Sequence, residues 1–142
     1  MITTQDRRYA DIIHPMHAVL LAGTFPLFLG AALSDAAYGS TYEIQWNNFA
    51  SWLIAGGLLF SGLALILVLV DLVRSHRRAR GIGLYALVLL ATWVVGFFNA
   101  LMHARDAWAS MPTGLVLSCV TLVLASVATF LGFAARRIGG TK

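Results

Sequence analysis

"IQWNNFASWLIAGGLLFSGLALILVLV" runs from Ile44 to Val70 without one Asp, Glu, Lys or Arg. A helix needs about 20 predominantly apolar residues to cross about 30 Å of hydrocarbon. This stretch is long enough, and three others match it: Ile12 to Ser34, Gly81 to Ala104 and Ala107 to Ala135. Trimming the ends at turn and interface residues predicts helices near 15–35, 49–72, 82–103 and 113–135. Lipid offers no partner to an open backbone group, so helices are the default. The runs are apolar all round, which leaves no soluble amphipathic pattern to compete. Short connections make neighbours antiparallel. The expected fold is therefore all-α: an integral membrane four-helix up-down bundle, one domain over residues 1–142.

Composition agrees. Of 142 residues, 59% are hydrophobic and 11% charged, against about a quarter charged in soluble domains. So few charges solvate a globule of this size only if lipid covers most of it. Cys119 stands alone in an apolar run, so it forms no intrachain disulfide and reveals no redox compartment. Arg7 and Arg8 precede the first span, but no small-residue cleavage site follows, and the first helix reads as retained.

Orientation follows from the basic residues. Arg7 and Arg8, then Arg74, Arg77, Arg78 and Arg80, then Arg136, Arg137 and Lys142 fall on one side of an even number of crossings. Only Arg105 falls on the other. Short loops rich in Arg and Lys stay in the cytoplasm. Both termini and the loop SHRRARG are expected to be cytoplasmic, in a bacterial inner membrane. DAAYGSTYEIQWNN and ARDAWASMPTG are expected to face outward. The formal net charge of +4 is then an orientation signal and a contact for anionic lipid, and nucleic acid is not an expected partner. Tyr38, Tyr42, Trp46, Trp52 and Trp108 gather at the outer boundary as an anchoring belt. Small residues such as Ala18, Ala22, Gly23, Gly30, Gly56, Gly57 and Gly62 mark where helices approach closely. Pro26 is expected to kink the first helix.

Two polar groups are left over. At the inner end stand Asp11, His14, His17, Asp71 and His76. Pro15 suits the first helical position, so His14 flanks the helix start and His17 lies in its first turn. The positive dipole end disfavours imidazolium there. Neutral imidazole is the form that binds metals and haem iron. Asp71 lies at the same depth, placed to orient a histidine, carry a proton or pair with Arg74. At the outer end stand Asp35, Asn99, His103, Arg105 and Asp106. Asn99 and His103 share a helical face, and Asp106 follows within reach to hold one ring nitrogen.

His14, His17 and His103 are thus candidate ligands for haem b or a metal ion, with Asp71, Asn99 and Asp106 supporting them. The plain alternatives are interfacial histidines and a polar helix end. Depth limits the haem reading. His17 and His103 lie over about 20 Å apart along the bundle, so they cannot share an iron. A haem would need His14 or His17 with His76, or a ligand from a second protomer. No GxSxG, HExxH, CxxC, P-loop or dinucleotide signature is present, so catalysis is not expected.

HPMHAVLLAGTFPLFLGAALSD and FFNALMHARDAWASMPTGLVLS, with the four-span plan, resemble the bacterial membrane family catalogued as domain of unknown function 2231. The resemblance covers about Asp11 to Phe133. His14, Pro15 and His17 match a histidine-proline-x-histidine opening. His103, Arg105, Asp106 and Trp108 match a His-x-Arg-Asp-x-Trp signature. The resemblance implies no assigned activity. It implies a layout similar to small four-helix b-type cytochromes, in a family whose members can accompany Rieske-type iron–sulfur domains. This chain lacks such a domain and the facing histidine pairs of two-haem bundles. Three readings stay open: a non-catalytic accessory or scaffold subunit, as a homodimer or within a larger membrane complex; a haem- or metal-binding redox subunit; and a small proton-coupled transporter. Empty midplanes count against the last, because transporters place charged residues within their spans.

Overall fold

The computed structural model describes residues 15–74 and 81–138, with side chains described as far as residue 134. Five helices follow in order: α1 (Pro15–Thr41), α2 (Ile44–Arg74), α3 (Ile82–His103), the short α4 (Ala107–Ser110) and α5 (Thr113–Ile138). Four of them are long and apolar enough to cross a membrane. Among the described residues there is no strand, and the fold is an all-α four-helix membrane bundle.

α1 packs on α2, α2 on α3, α3 on α5, and α5 back on α1. The four long helices therefore form a square, with α1 and α3 on one diagonal. That diagonal is bridged by side chains. His17 meets Tyr85, and Asp35 meets His103, each pair 68 residues apart. Phe28 packs on Gly96 at the same spacing. A constant offset means that α1 and α3 run parallel and in register. On α5 the pairing runs the other way: Leu21 lies on Gly132 and Asp35 on Ser118.

α1 continues to Thr41, and α2 starts at Ile44. Trimming at polar residues places these ends near 35 and 49. Asp35 does not stop the helix because its carboxylate turns inward, where side-chain partners take the place of water. The corner is made at Tyr42, whose φ of 56° is left-handed and whose N–H donates to the Tyr38 carbonyl at 2.7 Å, a helix-ending geometry. Tyr42 also stacks on Trp108 with centroids 5.4 Å apart. α1 remains helical on both sides of Pro26.

The core is thin and the outside is oily. Leu21, Ile54 and Leu89 are fully buried, whereas Leu33, Val123 and Phe130 are more than half exposed. Large apolar side chains are exposed on all four long helices. Patches that exceed a few hundred Å² are rare on soluble monomers. On a bilayer-spanning bundle they are the lipid contact. At the centre, Phe28 fills the space between α2 and α3. A Cβ on Gly57 would lie 2.8 Å from its ring, and one on Gly96 would lie 3.3 Å away. At Gly57 a methyl group would force the ring to shift, and at Gly96 it would press on both Leu58 and the ring.

Candidate functional site

The end of the bundle at which α3 closes holds a closed ring of hydrogen bonds. α3 supplies Asn99 and His103, one turn apart. α1 supplies Asp35, and α5 supplies Ser118. The ring begins at His103, whose Nδ1 lies 2.9 Å from the carbonyl oxygen of Asn99. A carbonyl only accepts, so Nδ1 carries a proton and donates it. The other nitrogen, Nε2, lies 2.7 Å from Oδ1 of Asp35. That contact requires one proton held between ring and carboxyl. The second carboxylate oxygen, Oδ2, accepts from the Ser118 hydroxyl. Ser118 in turn accepts from Nδ2 of Asn99 at 2.7 Å. Three helices are thereby joined through four buried side chains.

The ring of His103 lies against Gly114, where a Cβ would stand 3.1 Å from Cε1. α5 can therefore approach closely enough for Ser118 to reach Asp35. Below the site, α4 is tied to α2: the Ser110 hydroxyl donates to Oδ1 of Asn47 at 3.2 Å. A groove of about 400 Å³ opens nearby, between Ala36, Gly39 and Ser40 of α1 and Met111, Pro112 and Leu115. None of the four ring-forming side chains lines it.

This geometry corrects one expectation. Asp106 does not hold His103. α3 ends at His103 and the chain turns away, leaving Asp106 exposed before α4. The carboxylate that reaches the imidazole is Asp35, 68 residues away in sequence. The Asn99 carbonyl accepts from Nδ1 of His103, and its Nδ2 donates to Ser118. Ser118 carries no local signal, being one hydroxyl among several in an apolar helix. A signal for Asp35 existed: His17, Leu21, Thr24, Phe28, Ala31 and Asp35 recur at helical spacing, and all are buried. Asp35 continues the inward stripe rather than ending the span.

At the other end, Nε2 of His17 lies 2.8 Å from the Tyr85 hydroxyl, with the two rings edge to face. Asp71 is exposed on the last turns of α2. No ion pair joins it to Arg74 among the described residues. Asp11, His14 and His76 lie outside the described residues. The His17 and Asp35 bridges are 18 residues apart on α1, roughly 27 Å at 1.5 Å per residue. That is close to one hydrocarbon thickness, so each bridge sits near one boundary of the membrane.

Both ring nitrogens of His103 are engaged, and Nε2 of His17 is engaged by Tyr85. Among the described residues no group of three or more His, Cys, Asp or Glu side chains is arranged to hold a metal ion.

A family model described as predicted membrane protein, DUF2231, matches residues 13–139. The chain belongs to the DUF2231 family. The match spans both boundary bridges of this DUF2231 protein and all four long helices. Comparison with curated proteins and with solved structures finds no match.

Proposed function

We propose that this DUF2231 protein is a non-catalytic accessory or scaffold subunit of the bacterial inner membrane. The observation that carries the reading is the closed ring at Asp35, Asn99, His103 and Ser118. Asp35 and His103 bond to each other, to the Asn99 carbonyl and to the Ser118 hydroxyl, so both imidazole nitrogens are taken and the buried Oδ1 of Asn99 is left as an acceptor only. Between the two bridges the described interior holds no ionisable side chain, which speaks against a route for protons or ions. The lipid bilayer is one partner. The broad apolar outer faces suit a second copy of the chain or a larger membrane complex.

Purification in mild detergent tests this. The expected preparation is colourless and free of metal by elemental analysis, and proteoliposomes made from it hold a proton gradient as well as empty liposomes do. A Soret band that disappears in His17→Ala would replace the scaffold reading with the redox one. Proton leakage would replace it with transport.

Both termini are placed in the cytoplasm, because nine of the ten basic residues fall on that side. A protease-sensitive tag after Lys142 should survive protease added to intact spheroplasts and be cut after lysis. Cutting from outside would reverse the orientation.

A further inference from the structure

The helix registers bring four hydroxyl side chains to one level inside the bundle. The α1–α3 offset that pairs His17 with Tyr85, and Asp35 with His103, places Thr92 across from Thr24. The pairing of Phe28 with Gly57 places Ser61 of α2 beside Thr24. The pairings of Leu21 with Gly132, and of Asp35 with Ser118, put Thr129 of α5 at the same level, within one helical turn. Each long helix thus contributes one hydroxyl. Thr24, Ser61 and Thr92 are fully buried.

Their hydrogen bonds divide them. Thr24 donates to the Leu20 carbonyl at 2.9 Å, Ser61 to the Gly57 carbonyl at 2.6 Å and Thr92 to the Val88 carbonyl at 2.8 Å. Each has spent its one hydrogen and keeps lone pairs that can only accept. Thr129 differs. Its Oγ1 is buried and has no hydrogen-bond partner. A buried hydroxyl left without a partner costs about 1–3 kcal/mol, and such groups are commonly completed by internal water.

We propose that this layer is an internal hydration site near the centre of the membrane, occupied by at least two water molecules that between them donate to Thr24, Ser61 and Thr92 and accept from Thr129. The combination of three acceptors and one free donor matches a small molecule that both donates and accepts. A metal cation fits poorly, since the nearest described carboxylate in the interior is Asp35, eleven residues along α1 and roughly 16 Å away. On the outer side the layer is closed by Phe28, which packs on Gly57 and Gly96 one turn further along. The layer therefore does not continue past Phe28.

Radiolytic hydroxyl-radical footprinting of the protein in nanodiscs, read by mass spectrometry, tests the site. Internal water produces radicals in place, so Phe28 should be oxidised several-fold more than Ile54, which is equally buried at another level. Thr129→Val should remove that excess. Ser61→Ala serves as the second variant should Thr129→Val fail to fold. Equal, low labelling of Phe28 and Ile54 in the unaltered protein would show a dry layer and overturn the proposal. So would labelling unchanged in both variants. Exchange of choline chloride for sodium, potassium or ammonium chloride should leave the pattern unchanged. Loss of labelling with one of these salts would replace water with that cation.

Discussion

Asp35→Leu and His103→Leu should each destabilise the bundle by about 3 kcal/mol or more, and the double variant should lose much less than their sum. Removal of one partner from a buried pair strands the other, at a cost of about 3–5 kcal/mol, whereas replacement of both by apolar residues is often neutral. His103→Leu should be the worse of the two singles. It leaves the buried Asp35 carboxylate with only the Ser118 hydroxyl, while Asp35→Leu leaves an imidazole that can be neutral and still donates from Nδ1 to the Asn99 carbonyl. In the double variant Ser118 can turn back to its own helix, as Thr24, Ser61 and Thr92 already do. Equilibrium unfolding in mixed micelles, followed by helical circular dichroism, measures all three. A simple hydrogen bond between membrane helices averages about 0.6 kcal/mol. Losses of that small size, adding up in the double variant, would mean that the ring contributes no more than an ordinary polar contact.

The second large effect lies at the centre. Phe28→Ala should cost about 3–5 kcal/mol, the usual range for emptying a buried aromatic position. The ring is 1% exposed and wedged against two glycines, so no neighbouring side chain stands ready to fill the space. Gly57→Ala attacks the same contact from the other side. Its new methyl would stand 2.8 Å from the Phe28 ring, and overpacking of this kind costs about 1–3 kcal/mol. The two changes should interact. Phe28→Leu combined with Gly57→Ala should be less damaging than the singles predict, because residues in contact do not behave additively. Thermal denaturation in detergent gives the comparison. Additive losses would place Phe28 and Gly57 out of contact.

The spans were legible because each is a local property. Ile44 to Val70 carries no charge, and nothing elsewhere in the chain can change what that implies in lipid. The α3 limits are those read from the sequence, since Gly81 and His103 mark both ends. The ends of α1 and α2 were less legible. Asp35 looks like a residue that faces water, and only its partners on two other helices show that it does not. The same fact explains Asp106. It lies three residues from His103, close enough along the chain to support it, yet the turn after α3 carries it outward. Ser118 gave no signal by itself, being one hydroxyl among several in an apolar helix.

The sequence by itself determined the solvent of this protein and the number of rods that cross it. Transfer into lipid is summed residue by residue, so composition along the chain is enough. Which polar atoms meet was decided only by the tertiary structure. Contact between Asp35 and His103, or a shared level for Thr24, Ser61, Thr92 and Thr129, depends on the rotation and register of whole helices. Those are fixed where bulky side chains enter gaps left by glycine, as Phe28 does at Gly57 and Gly96, and such fits join residues far apart in the chain.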